Sequence, residues 1–198
     1  MSDTYKTITS KIGQGTYTEK RSKFLSFCHH VSSQEQVKEL LTTYRKKYYD
    51  ARHICYAYVL GAERLIFRAN DDGEPGSTAG KPILGQINKY ELTDILVIVV
   101  RYYGGINLGT GGMMTAYRTA AEAGIENSEK VEQIVEETTE RLFPYERIND
   151  VMRVVKEMSS RVISLEYGES CRIILSVRKS KIKELRHRLD KVLIKAHL

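Results

Sequence analysis

The sequence predicts an α+β protein of two domains, residues 1–130 and 131–198. Strand-like segments alternate with amphipathic helical segments in the first domain. An acidic stretch, residues 126–140, then precedes a second, separate strand and helix pattern. Hydrophobic residues at 41% and charged residues at 28% of a 198-residue chain are typical of a folded globular protein and exclude a disordered or collagen-like one.

The first predicted strands and helix follow from β-branched, aromatic and capping residues. Strands are expected at Tyr5–Ile12, Thr16–Tyr17 and Lys23–Val31. Ser32 or Ser33 caps a helix that runs to about Tyr49. That helix is predicted from one apolar stripe, formed by Val37, Leu40, Leu41, Tyr44 and Tyr48.

The rest of the first domain is predicted from turns and apolar runs. Two strands, Ile54–Leu60 and Leu65–Arg68, are joined by a turn at residues 61–63, and Pro82 opens a short helix that reaches Tyr90. Consecutive apolar residues in Asp94–Arg101 indicate a central strand covered on both faces. A helix is expected at Thr110–Ala123, with Gly124 as its stop.

The second domain is predicted to follow a βαββαβ order. A strand ends before Pro144, and the next elements are a helix and two strands at Tyr145–Met158, Val162–Tyr167 and Arg172–Val177. A basic helix follows, with its apolar face at Ile182, Leu185, Leu189 and Val192, and a short strand is expected near the end.

The positive charge is concentrated near the carboxyl end. Residues 172–198 hold nine lysines and arginines against Glu184 and Asp190, a net +7, whereas the whole chain is +6 and the preceding residues therefore total −1. A basic face with Lys183, Arg186 and Lys191 is a candidate polyanion contact, and a solvated helix face is the alternative.

Two glycine-rich loops, residues 71–82 and 102–112, each lead into a predicted helix. Converging backbone amides and the positive end of a helix suit a phosphate. The first loop is not a P-loop, because three residues rather than four separate Gly76 from Gly80 and because Pro82 replaces the Mg²⁺-binding hydroxyl. Met114 occupies the third glycine position of a dinucleotide fingerprint, which argues against Rossmann binding.

Cations, tyrosines and glycines near these loops could contact phosphates and stack on unpaired bases. The alternative is that the tyrosines belong to the core and the cations are scattered. The candidate contacts in the first domain are Lys20, Arg21, Lys23, Arg52, His53, Arg68, Lys81, Arg101, Tyr102, Tyr103, Gly104, Gly105, Gly111, Gly112 and Arg118.

Catalytic chemistry has weak support in the sequence. Asp71, Asp72 and Glu74 could share Mg²⁺ or act as acid and base, although a solvated Asp-Gly turn is the commoner explanation. We predict no catalytic residue, no cofactor and no bound metal.

The compartment is predicted from cysteines and apolar runs. Three irregularly spaced cysteines, Cys28, Cys55 and Cys171, are expected to be reduced thiols. No apolar run approaches the length of a membrane span, and the amino end lacks a signal-peptide core. We therefore expect a cytosolic protein.

Four ordered motifs resemble the IMPACT/YigZ family, in its bacterial two-domain form. They are residues 20–24 (KRSKF), 50–58 (DARHICYAY), 71–84 and 99–121. Two positions depart from the family pattern: residues 76–78 read Gly-Ser-Thr, and Thr115 stands where an arginine commonly precedes Ala-Tyr.

The resemblance implies a fold and a function. The first domain would resemble the β-α-β fold of ribosomal small-subunit proteins and of elongation factor G domain IV. The second would resemble the ferredoxin-like domain V of that factor. We therefore expect a non-enzymatic binder of RNA or the ribosome that regulates translation. The alternatives are an enzyme or binder of a phosphorylated small molecule, which would use the glycine-rich loops, and a regulator that binds a protein partner.

Overall fold

The computed structural model describes residues 3–194, which divide into two compact units. One unit comprises residues 5–133, and the other comprises residues 134–194 together with Asp3 and Thr4. The elements of the first unit are β1 (Thr4–Ile8), β2 (Gly13–Glu19), β3 (Ser22–His30), α1 (Gln34–Lys47), β4 (His53–Leu60), β5 (Ile66–Asn70), α2 (Gly80–Lys89), β6 (Ile95–Tyr102), α3 (Gly109–Glu126) and β7 (Lys130–Ile134).

A five-stranded antiparallel sheet forms the core of the first unit, with strand order β2-β3-β6-β4-β5. One face packs against α1 and the other against α2 and α3. Residues 95–100 of β6 are fully buried and alternate between the two faces, which confirms the predicted central strand. β1 pairs with β7 in a separate two-stranded sheet.

The predicted start of α1 is confirmed, and the predicted end of α3 is wrong. The Ser33 hydroxyl accepts a hydrogen bond from the amide of Gln36 and so caps α1. Gly124 does not stop α3, which continues to Glu126. A Cβ on Gly124 would lie 2.6 Å from the Ser26 hydroxyl. This glycine therefore serves the close packing of the helix on β3.

The second unit follows a βαββα order within the described residues. Its elements are β8 (Glu136–Phe143), α4 (Ile148–Glu157), β9 (Arg161–Glu166), β10 (Cys171–Arg178) and α5 (Ile182–Ile194). The sheet order is β8-β10-β9, and residues of α4 and α5 share one core with the sheet. The short strand predicted near the end would follow α5, in the part of the chain outside the described residues. The ferredoxin-like and elongation-factor likenesses remain predictions.

Two further expectations concern the core and the helices. The three cysteines, all within the described part of the chain, are buried and unpaired, as predicted. Ile182, Leu185 and Leu189 form the buried face of α5, which confirms its predicted apolar stripe. Among residues 3–194, no helix has the length and apolar character needed to cross a membrane.

Candidate nucleic-acid interface

Three neighbouring strands place a row of side chains at one end of the sheet. Phe24 of β3 and His53 of β4 both pair with Arg101 of β6. Side chains alternate along a strand, so Arg101 continues the row of Val97 and Val99 on the face beneath α2 and α3. Arg101 is only 5% exposed. A charged arginine therefore occupies the last position of an otherwise apolar, buried row of side chains.

Glu74 neutralises this buried arginine. Its Oε1 atom lies 2.6 Å from Nη1 of Arg101 and accepts a hydrogen bond of 2.8 Å from the Tyr117 hydroxyl. Its Oε2 atom lies 3.7 Å from Nε2 of His53. Glu74 is 8% exposed, so the pair is nearly withdrawn from solvent. The charge of Arg101 is therefore used inside the protein, where removing either partner would leave a buried charge unpaired.

A thiol and a phenol complete this buried cluster. The Cys55 thiol donates to the Tyr117 hydroxyl at 3.3 Å. Burial is the largest cause that raises the pKa of both groups above their ordinary values. Both groups therefore remain protonated near neutral pH. Cys55 lacks the thiolate character of a catalytic nucleophile.

The three acidic residues of the first glycine-rich loop each contact different partners. Asp71 accepts hydrogen bonds from the amides of Ser77, Ala79 and Gly80, at the start of α2. Asp72 accepts from the amide of residue 54 and pairs with the guanidinium of residue 45, while Glu74 faces Arg101. Among the described residues, no group of three or more His, Cys, Asp or Glu side chains is arranged to hold a metal ion.

We expect Asp71→Asn to destabilise the protein at neutral pH. Burial acts to raise the pKa of Asp71, but hydrogen bonds from the amides of Ser77, Gly80 and Ala79 outweigh it and hold the pKa below its ordinary value. A lowered folded-state pKa stabilises the protein above the unfolded pKa, and this contribution disappears as the pH falls through the folded pKa. Urea unfolding should show a loss of about 1–2 kcal/mol near pH 7 that shrinks below about pH 4. A difference independent of pH would contradict this account.

The second glycine-rich loop lies against the turn between β2 and β3. The amide of Gly104 donates to the Ser22 hydroxyl at 3.1 Å, and a Cβ on Gly104 would lie 2.1 Å from the backbone carbon of Arg21. Only glycine fits this contact. The loop then turns through Gly105, whose φ is +82°, and enters α3 without a side-chain cap.

The β2–β3 turn presents two cations beside that loop. Lys20 and Arg21 are its two central residues, and both are exposed with positive φ angles of 44° and 66°. Two-residue hairpins with positive φ at both positions favour Asn-Gly, because glycine has no Cβ and asparagine tolerates the left-handed region better than most residues do. The turn therefore carries two cations where smaller residues would fit better.

Residues 20–125 match the family model described as the Impact N-terminal domain. The chain belongs to the IMPACT family. IMPACT family member YvyE of Bacillus subtilis is 31% identical over 158 residues, which cover 80% of this chain and 73% of that relative. IMPACT family member YigZ of Escherichia coli is 31% identical over 176 residues, which cover 86% and 84% of the two chains. These matches confirm the family predicted from the four motifs.

A solved structure has a similar fold over nearly the whole chain. The crystal structure of a protein described as hypothetical aligns with a TM-score of 0.76 and 26% identity, and it covers 96% of this chain and 93% of its own. The Impact N-terminal match ends at residue 125, so the buried cluster and both glycine-rich loops lie within it.

The IMPACT domain brings some of the predicted contacts together. Arg21 abuts Gly104, Lys23 pairs with Tyr102, and the amide of Arg52 donates to the carbonyl of Arg101. These pairings place the exposed side chains of residues 20, 21, 23 and 52 around the end of β6. We call these four cations the rim.

Other predicted contacts lie elsewhere in the domain. Arg68 pairs with Tyr58, toward the far end of β4 and on the face that packs against α1. Lys81 and Arg118 are exposed on α2 and α3, and Gly111 and Gly112 lie in the first turn of α3. Tyr102, in contrast, lies opposite Lys23 at the end of β6, and its hydroxyl donates to Asp50.

The basic helix of the second unit is partly neutralised within its own unit. Arg186 pairs with Glu137, and Arg188 pairs with Glu157 and Glu184. Lys183 and Lys191 are exposed. The excess charge counted along the sequence is therefore partly cancelled in space, mostly by acidic residues from other elements.

Proposed function

We propose that this IMPACT family protein is a non-enzymatic binder of single-stranded RNA, free or within the ribosome, that acts in the regulation of translation. The link to translation rests on the family resemblance. The rim is the observation that carries RNA binding, because it gathers four exposed cations beside an exposed tyrosine and a glycine-rich loop.

The rim cations are available to a phosphate backbone. The salt bridges of the described residues involve Arg45 and Arg101 near this end of the sheet, but none of Lys20, Arg21, Lys23 and Arg52. The strained turn adds a second argument. Backbone strain persists where the residue type serves a purpose, and charge is what Lys20 and Arg21 contribute that Asn-Gly would not.

The first unit supports this function better than α5 does. Arg186 and Arg188 already contact carboxylates, so an RNA phosphate would have to displace them. The rim cations would pay no such penalty. We therefore place the main RNA contact in the IMPACT domain.

The variant Lys20→Asn/Arg21→Gly tests this proposal. It removes two cations and supplies the residues that the turn favours, so its unfolding free energy should equal or exceed that of the wild type. Its affinity for a single-stranded RNA should fall roughly tenfold at low salt. The slope of log affinity against log salt should decrease by roughly 1.4, because each phosphate contact on a single strand contributes about 0.7. Fluorescence anisotropy over a salt series measures both.

A matched control removes the same charge from the other unit. Lys183→Gln/Lys191→Gln changes two exposed lysines of α5 and should reduce affinity less than the turn variant does. Co-sedimentation with ribosomes should follow the same order. Undetectable or salt-insensitive RNA binding would count against the proposal, as would a larger loss in the control. A pull-down from a lysate that survives nuclease treatment, without RNA binding, would favour a protein partner.

A further inference from the structure

A cleft lies between the two glycine-rich loops of the IMPACT domain. It consists of two cavities of ≈ 300 Å³ and ≈ 340 Å³ that share Glu74, Arg101 and Asn107 as lining residues. Arg52 and Tyr103 stand at one side, and the start of α3 at Gly109 and Thr110 stands at the other. His53 also lines the second cavity, and the apolar part of the lining comes from Pro75, Leu108 and Met113.

Polar atoms in the cleft wall have unused hydrogen-bonding capacity. Arg101 lines both cavities, although its unpartnered Nε atom is itself closed to solvent. Oε2 of Glu74 lies 3.7 Å from Nε2 of His53, beyond hydrogen-bond distance. Asn107 accepts from the Tyr103 hydroxyl through Oδ1, which leaves its amide donors available. The cleft wall therefore offers a hydrogen-bond acceptor on Glu74 and hydrogen-bond donors on Asn107.

This combination disfavours a simple ion. A phosphate inside the cleft would meet the Glu74 carboxylate, and a cation would meet the Arg101 guanidinium. A neutral planar group that both donates and accepts hydrogen bonds satisfies both sides of the wall. Unpaired nucleobases have such edges, and proteins read them by hydrogen bonds combined with aromatic stacking.

Tyr103 supplies the stacking surface. Its side chain is 46% exposed, its hydroxyl is held by Asn107, and the Arg101 guanidinium lies 5.5 Å from the ring centroid. The uncapped first turn of α3 and Arg52 flank the cleft, where the phosphates on either side of a bound base would lie.

We propose that this cleft receives one unstacked base of a bound RNA strand, with Tyr103 stacking on the base and Glu74, Arg101 and Asn107 facing its edge. This inference rests on the proposed function and adds a base contact to the backbone contacts of the rim.

Two strands of equal length test the proposal, one a single-stranded RNA and one a fully abasic sugar-phosphate strand. Tyr103→Ala should weaken RNA binding by roughly 5- to 100-fold, as expected for loss of one base stack. It should leave both the salt slope and the affinity for the abasic strand unchanged. Tyr103→Phe keeps the ring and should retain most of the affinity. Tyr167→Ala, which changes an exposed tyrosine of the other unit, is the matched control and should bind as the wild type does.

Photo-crosslinking locates the base directly. RNA that carries 5-iodouridine should crosslink to a peptide containing Tyr103, and the crosslink should disappear in Asn107→Asp, where a carboxylate replaces the amide donors. The mononucleotide at the same concentration should give no crosslink. Crosslinking by the mononucleotide alone would overturn the RNA strand as occupant.

The outcomes separate the two proposals. Equal binding of RNA and abasic strands by the wild type, with a normal salt slope, would overturn the base contact and leave the proposed function intact. Binding of neither strand would overturn both.

Discussion

Replacing Arg101 by alanine is expected to lower the unfolding free energy by about 3–5 kcal/mol, because it leaves the buried Glu74 carboxylate without its ion-pair partner. Among the described residues, the Tyr117 hydroxyl would remain as the one close donor to Oε1. Urea denaturation followed by circular dichroism measures the loss. The variant should also unfold several degrees below the wild type on heating.

A second variant tests whether this loss comes from the unpaired charge of Glu74 or from the smaller side chain. Arg101→Met combined with Glu74→Gln removes both charges and keeps an acceptor for Tyr117, so it should recover at least half of the lost stability. Arg52→Ala, which removes an exposed arginine at the same end of the sheet, should change stability little. If the double variant were no more stable than Arg101→Ala, the buried charge would not be the cause.

The second large effect is expected from Gly15→Ala. A Cβ at residue 15 would lie 2.5 Å from the backbone nitrogen of Gly124 and 2.7 Å from the carbonyl carbon of Ala123. Backbone atoms cannot rotate away as a side chain can, so β2 and α3 would have to move apart. We expect a loss of about 1–3 kcal/mol from this overpacking, measured as a lower melting temperature.

Gly85→Ala should instead stabilise the same domain. Gly85 lies exposed within α2, and nothing lies within 4 Å of the Cβ that alanine would add. Alanine favours helix more than glycine does, so this variant should gain about 0.5–1 kcal/mol. Equal stability of Gly15→Ala and the wild type would show that the helix and strand can separate without cost.

Local sequence signals predicted the elements well and tertiary contacts poorly. The consecutive apolar residues of β6 were sufficient to predict a central strand, because a strand that is buried on both faces has apolar side chains at successive positions. Gly124 was misassigned because a helix stop and a close helix–strand contact both select glycine. The sequence does not show that β3 lies beside Gly124, so it cannot distinguish a helix stop from a close packing contact.

The buried cluster was partly predictable. Strand alternation places residue 101 on the same face as Val97 and Val99, so a buried arginine that needs a carboxylate could have been inferred. Its partner could not, because Glu74 lies in a loop 27 residues away and no sequence period connects them. The partners of Arg186 and Arg188 on other elements, Glu137 and Glu157, were missed for the same reason, whereas helical spacing already connects Glu184 with Arg188.

The assignments of the phosphate and RNA contacts stay predictions. Arg21 abuts Gly104, whereas Arg68 pairs with Tyr58 toward the far end of β4. A count of charges along the sequence cannot distinguish these residues, because it does not show where their side chains lie in the fold. The domain boundary at residues 130 and 131 likewise stays a prediction from composition.

The buried thiols make this protein suitable for chemical labelling without removal of native cysteines. Burial raises the pKa of Cys28 to about 12, so that thiol should react slowly with maleimides while an introduced surface cysteine reacts at once. Cys28 and Cys55 lie in one compact unit and Cys171 in the other. The time course of their modification therefore offers a separate reporter of opening for each unit, and comparing the reporters would show whether the two units unfold together.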